Sequence, residues 1–143
     1  RYYWKSHYLA ELSPEVCDVL AQHTWPLPTA GSYTIVFLMG GEVGRFGPDE
    51  SAFGVGRSAR FAVNVNAVAQ PDEDFDASVQ WCRDAFDALE PHASGTYTNF
   101  LDQGEQDRVA AAYGPATFDR LRALKARYDP DNFFRMNQNI PPA

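Results

Sequence analysis

Apolar residues recur at spacings of four, three, four and three over residues 75–89: Phe75, Val79, Cys82, Phe86 and Leu89. This period predicts the longest helix of the chain, with one apolar stripe that packs against a core. The carboxylates of residues 72–74 precede the helix, where they favour the positive end of its dipole. Pro91 ends the helix, because proline cannot continue the helical hydrogen bonds.

A two-residue period over residues 61–69 predicts a β-strand. Its apolar face is expected to be core and consists of Phe61, Val63, Val65 and Ala67. The opposite face carries the amides of Asn64 and Asn66. Such a face suits either solvent or a polar cleft.

Three further segments have recognisable signals. Ser13 and Pro14 predict the start of a helix that runs to about His23, because a hydroxyl caps the first turn and proline suits its first position. The nearly continuous apolar run of residues 33–39 predicts a strand buried on both faces. The β-favouring residues 96–100 predict a short strand.

Two more helices are predicted, a small one around residues 106–113 and a last one that begins at Pro115. The last helix is expected to turn four residues inward: Phe118, Leu121, Leu124 and Tyr128. Helices and strands are mixed, and the connections between strands are hairpin-like or long. The pattern therefore favours an α+β fold in which helices cover an antiparallel sheet.

Composition narrows the class of protein. The chain has 143 residues, 45% of them hydrophobic, and a net charge of −7, which suits a single core and argues against a nucleic-acid partner. No apolar run is long enough to cross a bilayer and no signal peptide is present, so we expect no membrane association and a cytoplasmic protein. The cysteines Cys17 and Cys82 are too few for a disulfide framework, and the histidines show no metal-ligand spacing.

Both ends of the chain are rich in side chains that need a packing partner. Three tyrosines and a tryptophan lie within the first eight residues, so we expect the chain to be cut from a longer one. In an extended tail, Asn137 and Asn139 point one way and Gln138 points the other way. Either these amides complete a binding site, or the tail only fastens the last helix to the core.

Alternation along the predicted short strand places Tyr97 and Asn99 on one face. A phenol beside an amide binds a polar ring or moves a proton. The alternative is a buried tyrosine whose hydroxyl is satisfied within the fold.

Eight motifs follow one another in order along the chain: Gly40-Gly41, Ser51-Ala52-Phe53 with Arg57, Trp81-Cys82-Arg83, Tyr97-Thr98-Asn99-Phe100, Tyr113-Gly114, Arg120 to Lys125, Tyr128 to Phe133, and Asn137 to Ile140. This series resembles the C-terminal part of berberine-bridge-enzyme-type FAD-linked oxidases. The resemblance covers essentially the whole chain.

The resemblance implies part of a two-domain FAD-dependent oxidoreductase whose flavin lies between the domains. It implies that residues 1–125 belong to a substrate-binding domain and that residues 126–143 form a tail returning toward the FAD-binding domain, which this chain lacks. It also implies hydride transfer from an alcohol, sugar or natural product to the flavin, with O₂ or another acceptor taking the electrons.

The resemblance also implies the site residues. Tyr97 and Asn99 match a motif that lies against the flavin, and Asn137 and Gln138 match the closing segment near it. Phe100 stands where many plant members have a catalytic tyrosine, and the strand of residues 61–70 lacks the acid that they place there. Tyr97 is therefore the expected catalytic residue.

Three residues are expected to contact the substrate: Asn64, Asn66 and Phe100. The fragment alone is expected to be inactive, because it lacks the domain that holds the cofactor. The alternative reading is a stand-alone small-molecule-binding or interaction module without catalysis.

Overall fold

The computed structural model describes residues 1–47 and 50–143, apart from the side chain of Gln103. The strands are β1 (Tyr2–Leu9), β2 (Tyr33–Leu38), β3 (Phe61–Val68) and β4 (Ala93–Gly95). The helices are α1 (Pro14–His23), α2 (Phe75–Leu89), α3 (Val109–Tyr113) and α4 (Pro115–Tyr128). The predicted α+β class, with helices over an antiparallel sheet, is confirmed.

The chain forms two compact units, and each takes two separate segments of the sequence. The first unit holds residues 1–39 and 59–94, and the second holds residues 40–58 and 95–143. The boundary predicted between residues 125 and 126 falls inside helix α4. That boundary stays a prediction about the whole protein.

The sheet of the first unit has the strand order β2-β3-β1-β4. Strand β3 pairs antiparallel with both β1 and β2, so that Asn66 lies opposite Trp4 on one side and opposite Tyr33 on the other. The sequence did not predict β1 as a strand. Its aromatic residues signalled a need for packing, and the structure places β1 inside the sheet, where Tyr8 is buried while Tyr2 and Trp4 stay partly exposed.

Helix α2 packs on one face of this sheet, and α1 packs against α2. The buried core there consists of Leu9, Val16, Val63, Val65, Ala67, Cys82, Ala85 and Leu89. The predicted core face of β3 is therefore confirmed. The predicted helix starts are also confirmed, since Ser13 Oγ accepts from the Val16 N–H at 3.2 Å and Asp74 Oδ1 accepts from the Ala77 N–H at 3.0 Å.

Strand β2 differs from its prediction in burial. The segment is a strand, but Phe37 is 42% exposed and Leu38 is 78% exposed. It lies at the end of the strand order, and among the described residues it pairs with β3 alone. A continuous apolar run therefore marks an edge strand here, and the expectation of burial on both faces was wrong.

The second unit has its own small core, formed by Leu101, Val109 and Ala112 with Phe118 and Ile140 packed against it. Residues 41–45 and 54–58 form 3-10 turns in this unit. The predicted small helix appears as a 3-10 segment, Gln103–Arg108, followed by α3.

Two predictions for the second unit were wrong. Thr98–Phe100 is a 3-10 turn, closed by the Phe100 N–H to Tyr97 carbonyl bond of 2.9 Å, and not part of a strand. In α4, Leu124 is 50% exposed and Tyr128 is 73% exposed, although both were expected to face inward. The apolar period of α4 continues past the point where the small core ends.

Within the described residues, no helix combines the length and apolar character that crossing a membrane requires.

Candidate active site

The predicted site residues lie in both units. Asn64 and Asn66 belong to the sheet of the first unit. The other five belong to the second unit: Tyr97, Asn99, Phe100, Asn137 and Gln138.

In the second unit, Tyr97 and Asn99 form a direct contact. The side-chain amide of Asn99 donates to the phenol oxygen of Tyr97 at 2.9 Å. The 3-10 turn brings the two side chains together. Thr98, the residue between them in the sequence, is buried. The predicted pairing therefore holds although the predicted strand does not.

Aromatic rings surround the phenol of Tyr97. The ring of Phe53 lies 5.9 Å from it, centroid to centroid, and Phe100 presents its edge at 5.2 Å. Phe100 thus acts here as an aromatic wall beside Tyr97. Because it has no hydroxyl, it supplies shape and not a proton.

Arg57 holds Phe53 in place. Its guanidinium lies over the rings of Phe46 and Phe53, at 5.2 and 5.3 Å from their centroids. It also donates to the Val43 carbonyl at 2.7 Å and to Ser51 Oγ at 2.5 Å. The sequence contained Phe53 and Arg57 within a motif but assigned them no role. Their place in that motif was the available signal.

The tail is fastened to the second unit through Gln138. Its side-chain nitrogen donates to the Leu101 carbonyl at 2.6 Å, and Gln106 donates to the Asn139 carbonyl at 2.6 Å. Leu101 directly follows Phe100, so the tail is tied close to the Tyr97 turn. The tail therefore does fasten itself to the core, as one of the two readings expected.

The extended tail geometry was wrong. Asn137 has a φ of 58°, and the Asn139 N–H donates to the Asn137 carbonyl at 3.0 Å. This bend leaves Asn137 exposed and turns Gln138 inward. Asparagine tolerates a left-handed backbone better than most residues, and the alternation argument did not take that into account.

A second turn, at Asp129, begins the tail. Its carboxylate accepts the N–H groups of Phe133 at 2.8 Å and Phe134 at 3.0 Å. It also accepts from the ammonium group of Lys125. Hydrogen bonding to Lys125 is the main cause that lowers the pKa of Asp129, and the two backbone N–H groups add to it.

In the first unit, the sheet face opposite the helices is here called the amide face. By register it carries Tyr2, Trp4, Ser6, Tyr8, Tyr33, Ile35, Phe37, Ala62, Asn64, Asn66 and Val68. Asn64 and Asn66 are nearly buried, whereas Tyr2, Trp4 and Tyr33 are 46%, 37% and 39% exposed. The predicted amides therefore lie beneath a partly exposed aromatic rim.

The hydroxyl of Tyr2 lies 2.5 Å from Asn66 Oδ1 and 2.8 Å from the hydroxyl of Tyr33. Desolvation of this hydroxyl, together with its hydrogen bond to Tyr33, raises the pKa of Tyr2 to about 12. Although the residue as a whole is partly exposed, the contact of its hydroxyl with Asn66 is partly buried. The sequence analysis missed both tyrosines as site candidates.

The Tyr97 cluster fits the ring of a flavin. An isoalloxazine is flat and largely apolar, with hydrogen-bonding atoms along its edge. Phe53 and Tyr97 supply aromatic surface, and Asn99 adds an exposed side-chain amide with donor and acceptor capacity. The chemistry of these residues therefore suits that cofactor.

Comparison with known proteins supports the same family. The family described as "Berberine and berberine like" matches residues 96–141. An FAD-linked oxidoreductase of Bacillus subtilis, YvdP, is 35% identical over 104 residues, which are 73% of this chain and 23% of that protein. An FAD-linked oxidoreductase of Dictyostelium discoideum is 28% identical over 143 residues, or 99% of this chain and 31% of that protein.

The fold is also similar to that of a solved structure, the berberine bridge enzyme from Eschscholzia californica. The TM-score is 0.82 at 17% identity, over 99% of this chain and 33% of that one. This chain thus spans about a quarter to a third of the length of the proteins that it matches. The resemblance predicted from the motifs is confirmed.

Proposed function

Because this chain resembles FAD-linked oxidoreductases of the berberine bridge enzyme type, we propose that it is part of an FAD-dependent oxidoreductase. The substrate is an alcohol, a sugar or a natural product, and O₂ is the electron acceptor. The observation that carries the proposal is the Tyr97–Asn99 contact, because it gives the family motif a geometry suited to a flavin ring. We place the protein in the cytoplasm.

FAD, when bound, supplies an acceptor for the hydride that leaves the substrate. Four residues of this chain would hold it: Tyr97, Asn99, Asn137 and Gln138. Asn99 fixes the direction of the Tyr97 hydroxyl by donating to its oxygen. Gln138 acts from the tail, which its bond to Leu101 keeps beside the turn.

Tyr97 is the residue that we assign to proton transfer. It carries a hydroxyl beside Phe53 and Phe100, which exclude water from part of its surface. Asn64, Asn66 and Phe100 are assigned to substrate contact. As the C–H hydrogen leaves as a hydride, the phenol would take up the proton of the substrate hydroxyl and hand its own proton to water.

Exposed apolar side chains support a further domain as partner of the second unit. In α4 and the tail, five are at least half exposed: Leu124, Tyr128, Phe133, Phe134 and Met136. Large apolar side chains exposed together in one stretch of the chain mark an interaction site. We assign it to the FAD-binding domain of the whole protein.

The first test is a visible absorption spectrum of the full-length protein, before and after acid precipitation. A flavin spectrum would support the proposal, and colour retained in the pellet would indicate a covalent link. A full-length protein that stays colourless after incubation with FAD would overturn the oxidase assignment. A small-molecule-binding module without catalysis would then be the better description.

A further inference from the structure

A cavity in the first unit, here called the indole cavity, lies between one face of α2 and the end of α1. Its volume is about 490 Å³, which is within the range of small-molecule pockets. None of the residues assigned above to the flavin or the substrate lines it. The cavity is lined from α2 by Ala77, Gln80, Trp81 and Asp84, and from the end of α1 and the loop after it by His23 and Trp25.

Two indole rings line this one cavity. Trp81 is half-buried and packs against the core of the first unit, so its position is fixed by the fold. Trp25 is 70% exposed, so most of its ring is accessible to a ligand. Indole attracts a cation over its face more strongly than the other aromatic side chains do. The cavity therefore combines apolar surface with an affinity for positive charge.

Asp84 adds a full negative charge beside the indoles. The side-chain nitrogen of Gln80 donates to Asp84 Oδ1 at 2.7 Å, which orients the carboxylate. Within the described part of the chain, this carboxylate has no cationic partner. Helix α1 ends at His23, and the C-terminal end of a helix carries a partial negative charge. The cavity is thus electronegative and lacks a counter-ion of its own.

The kind of cation follows from the lining. A metal ion needs several oxygen, nitrogen or sulfur ligands, and the described residues contain no group of three or more side chains that could hold one. An organic ammonium ion instead presents C–H groups that carry part of its positive charge. Such groups contact indole faces directly, and a single carboxylate is enough to balance them.

We propose that the indole cavity binds a small organic ammonium ion. Trp25 and Trp81 contact its alkyl groups, and Asp84 is its counter-ion. The inference goes beyond the proposed function and does not depend on it. It assigns this chain a ligand site that takes no part in the oxidation.

The first test is calorimetric titration of the full-length protein with choline and with 3,3-dimethylbutan-1-ol, its uncharged isostere. Choline is expected to bind with a Kd lower by roughly 3- to 30-fold, the combined effect of cation–π contact and an exposed ion pair. Titration with NaCl at the same concentrations controls for ionic strength. The measurements are made at pH 8, so that imidazole groups are neutral.

Asp84→Asn tests the counter-ion. The variant keeps an acceptor for Gln80 but removes the charge, so it is expected to raise the Kd of choline by roughly 2- to 5-fold. The Kd of the uncharged isostere is expected to stay the same. Asp76→Asn is the matched control, because it removes an exposed carboxylate of the same helix that does not line the cavity.

Trp25→Leu tests the indole. It replaces the ring with an aliphatic side chain and is expected to raise the Kd of choline by roughly 2- to 5-fold, with a smaller effect on the isostere. Trp4→Leu is the control, since Trp4 is a partly exposed indole on the amide face of the sheet. Thermal unfolding of every variant checks that it remains folded.

Three results would overturn the inference. Equal Kd values for choline and its isostere, or no binding of choline, would show that the cavity does not select a cation. Equal choline affinities in Asp84→Asn and Asp76→Asn would remove Asp84 as the counter-ion. Equal choline affinities in Trp25→Leu and Trp4→Leu would show that choline binds somewhere else on the protein.

Discussion

The side-chain amide of Asn99 donates a 2.9 Å hydrogen bond to the phenol oxygen of Tyr97. The two residues are separated by one position in a 3-10 turn. A turn this tight leaves little freedom for either side chain. The orientation of the proposed catalytic hydroxyl is thus set by its near neighbour in the sequence.

Tyr97→Phe should lower kcat of the full-length enzyme by about 100-fold or more while the flavin stays bound, because a positioned proton-transfer group contributes on that order. Steady-state kinetics and the flavin spectrum measure the two effects. Asn99→Ala should lower kcat less, since it removes only the orienting bond. Tyr113→Phe, in the same unit, is the control, and an equal loss in that variant would contradict the assignment.

Gln138→Leu should release the tail, because it removes the donor to the Leu101 carbonyl while keeping much of the side-chain volume. We expect faster hydrogen exchange over residues 136–143 and a loss of about 1 kcal/mol in the free energy of unfolding. Asn137→Gly is the control, since its side chain is exposed and glycine adopts its φ of 58° readily. Equal exchange in both variants would show that Gln138 does not hold the tail.

The turn at Asp129 should weaken in acid. Because its pKa is lowered in the folded protein, its contribution to stability is complete above the ordinary value of 3.8 and is lost as pH falls through the folded value. Thermal unfolding between pH 2 and 6 measures this loss. Asp129→Asn should flatten the acid limb, whereas Asp131→Asn, an exposed neighbour, should leave it unchanged.

Gly54→Ala should destabilise the second unit by about 1–3 kcal/mol or more. An added Cβ would lie 2.5 Å from the Ala112 carbonyl oxygen and 2.9 Å from Tyr113 Cα, and the φ of Gly54 is +73°. Denaturant unfolding gives the change in free energy. Gly41→Ala separates the causes, since its φ is +57° but no atom lies within 4 Å of the added Cβ. An equal loss in the free energy of unfolding in both variants would show that backbone strain alone causes the effect.

Cys82 should make the first unit sensitive to alkali. Burial raises the pKa of its thiol to about 12 from an ordinary 9.0, and the thiol donates to the Val65 carbonyl at 3.2 Å. A raised pKa means that its share of stability is present below pH 9 and is lost as pH rises toward 12, by a few kcal/mol at about 1.4 per unit.

Urea unfolding at pH 8, 9, 10 and 11 measures this dependence on pH. Cys82→Ser should reduce the alkaline slope, since serine can make the same bond to Val65 but does not titrate in this range. Cys17→Ser should not change the slope, because Cys17 is exposed. Identical slopes in the two variants would exclude Cys82 as the cause.

Periodic patterns predicted the elements that pack on a core within this chain. The stripe of α2 and the alternation of β3 were both correct, because each buries one face against the other. Strand β2 and helix α4 carry similar apolar patterns, yet Leu38 and Tyr128 are largely exposed. A pattern states that a face is apolar, and it does not state which chain or domain covers it.

The sequence identified residues of the candidate site but did not predict how they are arranged. Tyr97 and Asn99 do meet, although through a turn that β-propensity did not indicate. The hydroxyl pair of Tyr2 and Tyr33 joins residues from two strands that flank a third, so the contact depends on strand order. No local pattern contains that order, and only the assembled sheet brings the two hydroxyls together.

The position of β1 inside the sheet has a consequence for folding. Its residue Tyr2 pairs with Val68, and its other neighbour, β4, begins only at Ala93. The aromatic strand β1 is thus synthesised before β3 and β4, and it cannot pair with either until they have followed. Contacts this distant in sequence slow folding, because a large loop must close before they form. We therefore expect the pairing of β1 with β3 to be a slow step in the folding of the first unit.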